Sequence, residues 1–203
     1  MDRQTLSRRE EYAEATKQAI LDAARSLFAE QGYFATKVDE IASRARVSPA
    51  TVYAVCGGKQ GLLRKLMDIW TTDPIVALTI ESVRARSDGR EIVDAVAAAC
   101  RRMREMYGDV MRVMLATAPH DQFVSDILAV TTQRYRDAFK PMARHLLDLG
   151  ALRAELDLQG ALDIFWFYFG YSGLNTLHDE NGWTYDRAER WLGEQASRAL
   201  LRS

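Results

Sequence analysis

The chain has 203 residues, 48% hydrophobic and 27% charged, with a formal net charge of −1, the makeup of a globular protein of one large or two small domains. Its longest nearly unbroken apolar run, residues 164–169, is far below the roughly 18 residues of a membrane span, and the first residues are polar and charged rather than signal-like. The cytoplasm is therefore the expected compartment and no membrane partner is expected. Its two cysteines, Cys56 and Cys100, lack paired spacing, which argues against a disulfide framework or a zinc site and leaves both as buried fillers; no cofactor is expected.

In chain order, apolar residues recur at helical spacing and two-residue alternation is hard to find, so the pattern predicts an all-α fold of about nine helices. Residues 1–13 read as a flexible arm, either an unstructured terminus or a segment whose Arg3, Arg8 and Arg9 reach DNA. The first helix is expected from about Glu14 to Gln31, with Ile20, Ala23, Ala24, Leu27 and Phe28 on one stripe and Gly32 as its stop. A short second helix places Val38, Ile41, Ala42 and Ala45 together, with Thr36 as cap. A third opens at Ser48-Pro49, where Ser48 accepts from free amides and Pro49 suits the first helical position. A fourth starts near Lys59 and continues in some form to about Arg86.

Beyond Ser87-Asp88-Gly89, the spacing predicts a helix interrupted at Gly108, a short helix to about Thr117, and a long one from Asp121 to Leu149. Two final helices, Leu158 to about Leu177 and Thr184 to Leu201, flank a turn at residues 178–182.

The charge is unevenly spread. Thr36 to Leu66 holds six Lys/Arg against two acids, a net +4, while the remainder sums to −5. Two short helices joined by a tight turn, the second opening on Ser-Pro, with a longer helix behind them, outline a helix-turn-helix. In that arrangement the small Ser48 and Ala50 permit close approach to DNA, and Thr51 and Tyr53 offer hydroxyls to phosphates or base edges. Lys59 adds a cation at a helix start suited to a phosphate.

The series 20–33 (ILDAARSLFAEQGY), then Thr36, Val38-Asp39-Glu40-Ile41-Ala42, Val47-Ser48, Thr51-Val52-Tyr53 and Lys59, resembles the N-terminal domain of the tetracycline-repressor (TetR) family. The resemblance implies a three-helix DNA-binding head, residues 1–66, on a helical effector-binding and dimerising body, residues 67–203. It implies phosphate contacts at the positions of Thr36, Lys37, Thr51, Tyr53 and Lys59, and base contacts at Ser48, Pro49 and Ala50. The sequence departs from the family pattern at Arg46, where the turn residue is usually Gly, and a left-handed turn there costs about 1 kcal/mol that a phosphate contact by Arg46 offsets. It departs again at Cys56, in place of an aromatic, which predicts a smaller, looser core, and at Gly58, in place of a Ser cap.

In the body, Met67, Trp70, Cys100, Met103, Tyr107, Met114, Phe139, Met142, Phe165 and Phe169 fall on expected inner faces and suit the lining of a pocket for a small apolar effector, although ordinary core is the commoner role for any one of them. His120 adds one polar group to that pocket or caps a helix at the surface. The final helix pair carries more apolar residues than one core needs, so Leu162, Trp166, Gly170, Gly173, Leu177, Trp191 and Leu192 are candidates for a homodimer interface, with the two glycines admitting a close helix.

These features point to a repressor released from a near-palindromic operator in double-stranded DNA by a small apolar ligand. Two alternatives stand beside it. One is a DNA-binding protein whose body binds a protein partner. The other is a helical enzyme, for which Gly170-Tyr171-Ser172-Gly173 lacks nucleophile-elbow spacing and His120, His145 and His178 lack metal-ligand spacing. No catalytic residue and no metal ligand is assigned.

Overall fold

The computed structural model describes residues 7–202, whose regular secondary structure is helical apart from one isolated antiparallel bridge between Leu152 and Leu201. Arg3 lies outside the described residues. Helix α1, Arg8–Gln31, starts earlier than its apolar stripe suggests because Ser7 and Glu10 form a capping box: Ser7 Oγ accepts from the Glu10 amide, and Glu10 accepts from the Ser7 amide at 2.8 Å. Arg8 and Arg9 thus belong to the first turn of a helix rather than to an arm.

Helix α2, Val38–Ala45, is entered from Lys37, whose amide donates to Glu40 at 2.9 Å, so the capping residue is Lys37 and not Thr36. It ends in a Schellman motif, with the Val47 amide donating to the Ala42 carbonyl at 2.9 Å and the Arg46 amide to Ser43 at 3.1 Å. That motif needs a left-handed residue, and Arg46 supplies it at φ 57°, ψ 41°. Helix α3, Pro49–Cys56, is capped by Ser48, which accepts from the Thr51 amide at 3.1 Å, and closes on left-handed Gly57. Helix α4, Gly58–Thr71, follows directly. Helix α5, Ile75–Arg84, begins where Asp73 accepts from the Ile75 amide.

Helix α6 runs unbroken over Gly89–Thr117. Gly108 does not interrupt it, because the missing side chain leaves room for Arg104 Cδ, 3.2 Å from where a Cβ would stand. After a 3-10 turn at Ala118–His120, the stretch expected as one long helix divides into α7, Gln122–Ala138, and α8, Lys140–Asp148. Pro141 explains the division: it lacks the amide that would continue the ladder, and it sits in the first turn of α8, where that amide is not needed. Helix α9, Leu158–Phe169, stops at Gly170 and gives way to a short turn α10, Tyr171–Leu174, a π-helical segment Asn175–Glu180, and α11, Tyr185–Leu200.

The chain forms two compact units. One comprises the residues up to Trp70 together with Asp109–Val130; the other comprises Thr71–Gly108 together with Thr131 onward. In the first, Ile20, Ala24 and Phe28 of α1, Ile41 of α2, Val52 of α3 and Leu62 and Leu63 of α4 are buried. In the second, Ile92, Val93 and Val96 of α6 pack in one cluster with Phe139, Met142, Phe165, Phe169, Leu192 and Leu200. Phe139 and Phe165 stack with ring centroids 5.6 Å apart. Each such side chain contributes about 1.5–3 kcal/mol through burial, which fixes the relative placement of the helices within its unit.

Candidate nucleic-acid interface

The tight turn between α2 and α3 presents the start of α3 to solvent. Ser48, Pro49, Ala50 and Tyr53 are exposed, as are Lys37 and Arg46 beside them, and Thr51 is half-buried. Val52, one residue along from Thr51, is fully buried, so α3 turns one face into the head and leaves its N-terminal residues open. Ser48 and Thr51 share a hydroxyl hydrogen bond of 2.8 Å, which orients both at the helix start. A short helix with small residues leading and cations flanking it is the geometry that a major groove admits.

Two expected phosphate ligands are placed differently. Thr36 is buried, with its hydroxyl donating to the Gly32 carbonyl at 2.8 Å. The Lys59 ammonium donates to the carbonyls of Tyr33 at 2.7 Å and Thr36 at 3.1 Å, and stands 4.4 Å from the Tyr33 ring centroid. Burial pushes this ammonium below the usual lysine range, with the Asp121 charge acting in the opposite direction. Both groups therefore stitch the α1–α2 loop in place. Arg44 is also committed, making bonds of 2.7 and 2.9 Å to Glu30, whose carboxyl those bonds, with help from Ser26, hold down to about 2. The local basicity counted from sequence is thereby partly spent inside the head.

Cys56 is buried, and the first turn of α4 closes over it: a Cβ on Gly61 would stand 1.8 Å from the Cys56 carbonyl oxygen. Gly57 and Gly58 both adopt positive φ, at 75° and 72°. The dipeptide is visible in the sequence, but reading Gly58 as a substituted cap missed the paired left-handed turn.

Of the residues expected to line an effector pocket, Met67, Trp70, Met114 and His120 lie in the first unit, and Cys100, Met103, Tyr107, Phe139, Met142, Phe165 and Phe169 in the second. His120 is exposed in the 3-10 turn, which makes it a surface residue. The others are buried. Tyr107 donates its hydroxyl to Asp73 at 2.6 Å. Burial pushes the Cys100 thiol up to about 12.

On the second unit, Trp166, Gly173, Leu177, Trp191 and Leu192 line a groove of 420 Å³ together with Phe167, Tyr168, Tyr171, Ser172 and Thr176. Leu162 is half-buried and Gly170 buried. Phe167, absent from the residues singled out by sequence, is 72% exposed. Both glycines are required within their own chain: a Cβ on Gly170 would stand 2.4 Å from the Trp166 carbonyl oxygen, and one on Gly173 2.1 Å from that of Tyr168. Among the described residues no group of three or more His, Cys, Asp or Glu side chains gathers as a metal site, and no helix is long and apolar enough to cross a membrane.

Residues 20–66 match the family described as bacterial regulatory proteins, tetR family. The chain is similar to the HTH-type transcriptional regulator YdeS of Bacillus subtilis, 27% identical over 83% of each chain. It is similar to the HTH-type transcriptional regulator BetI of Paraburkholderia phymatum, 27% identical over 79% of this chain and 84% of BetI. Its fold matches that of SmeT, solved as a SmeT–triclosan complex, with a TM-score of 0.74 at 19% identity over 93% of each chain. The head geometry and the family match agree: residues 20–66 form a helix-turn-helix domain of the kind found in bacterial regulatory proteins of the tetR family, and over most of its length the chain is similar to HTH-type transcriptional regulators.

Proposed function

We propose that the chain is a homodimeric repressor that holds a near-palindromic operator and is released from it by a small apolar ligand. The observation that carries this reading is the open N-terminal face of α3, where Ser48, Pro49, Ala50 and Tyr53 stand exposed between Lys37 and Arg46. These residues and Thr51 form the operator-reading surface, and the head that carries them is residues 1–66. The aromatic groove with Phe167 and Trp191 supports pairing of two bodies, residues 67–203, through α9 and α11. A twofold pair presents two heads to successive major grooves about 34 Å apart, which requires half-sites in inverted order.

In this reading ligand binding shifts α4, changes the spacing of the heads and breaks that match. A preference for the released state of about 1–3 kcal/mol is sufficient. The SmeT fold match, solved with triclosan, supports a ligand-binding body. The operator is reached in the cytoplasm.

The experiment is enrichment of duplexes from a random-sequence pool by the purified chain. The expected result is an inverted repeat with half-sites about one helical turn apart, bound with an affinity that falls steeply with salt. A chain that enriches no sequence, or enriches single half-sites as a monomer, overturns the reading. A second reading, in which the body receives a protein partner instead of a ligand, is favoured by the stacking of Phe139 on Phe165 in the closed cluster of the second unit. Release of the enriched duplex by small apolar molecules decides against it.

A further inference from the structure

We infer that Gly58 is a positioning residue for Tyr53, a flat seat that holds the tyrosine ring in its DNA-facing orientation. The inference rests on the proposed reading of Tyr53 as an operator contact. Tyr53 is 59% exposed on α3, and an exposed tyrosine ordinarily samples several side-chain rotamers. Here its ring occupies the space in which any other residue at position 58 would carry a Cβ: that atom would stand 2.8 Å from Tyr53 Cε1, closer than real Cβ atoms approach, and 3.1 Å from Cδ1, so the ring would have to move aside.

Two further glycines fix the turn that carries this seat. Gly57, left-handed at φ 75°, donates its amide to the Tyr53 carbonyl at 2.9 Å, so the turn that holds the ring also holds the backbone of the same residue. Gly61 brings the first turn of α4 against the Cys56 carbonyl, where no side chain fits. The three glycines give the α3–α4 junction one geometry, and in it the Tyr53 ring lies against a bare α-carbon. A ring ordered before DNA arrives loses less freedom on binding, an advantage of about 3- to 10-fold in affinity.

The experiment measures binding of the wild type, Y53A, Y53F, G58N and the double variant G58N/Y53A to a 30-base-pair duplex carrying the site enriched by the wild-type protein. Asparagine is chosen because it tolerates the left-handed backbone while still placing a Cβ against the ring. The expected result is a loss of roughly 10-fold or more in Y53A. G58N should lose about 3- to 10-fold, and the double variant should bind no more weakly than Y53A.

If Y53A weakens binding but G58N binds as the wild type, the seat is refuted and the contact survives. If the G58N loss persists in full in the Y53A background, Gly58 acts through head stability and the inference is again refuted. If neither Y53A nor Y53F weakens binding, the operator-contact reading itself fails and the seat with it. A measurement on the unaltered protein guards against a variant that does not fold: nuclear Overhauser contacts between the Tyr53 ring protons and the Gly58 α-protons are expected, and their absence overturns the proposal.

Discussion

Arg25 and Asp109, 84 positions apart in the chain, are joined by two hydrogen bonds of 2.6 and 2.7 Å, from Nε and one terminal nitrogen of the guanidinium to the two carboxylate oxygens. This paired geometry is the strong form of an ion pair, and it ties the middle of α1 to the part of α6 that belongs to the same compact unit. Both side chains are partly shielded, at 35% and 25% exposure. Asp109→Asn should cost about 1–2 kcal/mol in chemical denaturation, more than an exposed surface pair is worth.

The same pair sets an acid dependence. Burial pushes the Asp109 carboxyl up, but the Arg25 hydrogen bonds and charge outweigh it and hold the group below its usual value. Its folded value is thus below its unfolded one, so the contribution is complete above about pH 4 and is lost as pH falls through the folded value. The stability gap between wild type and Asp109→Asn should be constant from pH 5 to 7 and narrow only below about pH 4. A gap that changes near neutrality contradicts the assignment.

Arg46 is the one non-glycine residue with positive φ among the described residues. Arg46→Gly should raise the unfolding free energy by about 0.5–1 kcal/mol, since glycine takes that backbone at no steric cost. The same change should weaken operator binding and reduce its salt dependence by about one counterion. Unchanged DNA affinity would show that the arginine is tolerated there rather than used.

How far the sequence carries can be judged from single positions. The left-handed turn at residue 46 is legible only through the resemblance, which places a glycine there; the arginine itself gives no local sign of the Schellman ending that requires it. Ser48-Pro49 announced α3 by local chemistry alone. Gly108 reads as a break because a glycine inside a helix weakens it intrinsically, and the approach of Arg104 to its bare α-carbon exists only in three dimensions. Pro141 lies within a strongly periodic stretch that masks it, although its missing amide sets the boundary between α7 and α8. Thr36 and Lys59 carry groups that suit a phosphate, yet the nearest acceptors are backbone carbonyls of the α1–α2 loop, a competition that spacing does not reveal. Phe167 lies off the inward stripe of α9 that Phe165 and Phe169 define, so a search for core residues overlooks it.

That exposed ring leads to a test of assembly. Phe167→Asp places a charge on the rim of the aromatic groove and should weaken self-association by roughly 30-fold or more, the effect of losing one hot-spot side chain. Sedimentation at micromolar concentration should show the shift to monomer, with helical content preserved. A dimer that persists unaltered would move the interface away from α9.

Phe165 tests the second unit's core. It is fully buried, stacked on Phe139 and 6.1 Å from Phe169. Phe165→Ala should cost about 3–5 kcal/mol, and Phe165→Leu clearly less because it keeps most of the volume. Thermal melts followed by circular dichroism measure both.

The two cysteines fall one to each compact unit, Cys56 in the first and Cys100 in the second, and both are buried. Only a thiolate attacks an alkylating reagent, and burial keeps both sulfurs protonated and shielded, Cys100 most strongly. Alkylation must therefore wait for a unit to open. With one thiol removed at a time, the labelling rate of the other becomes a clock for the opening of its own unit, and the chain carries the means to time its two halves separately.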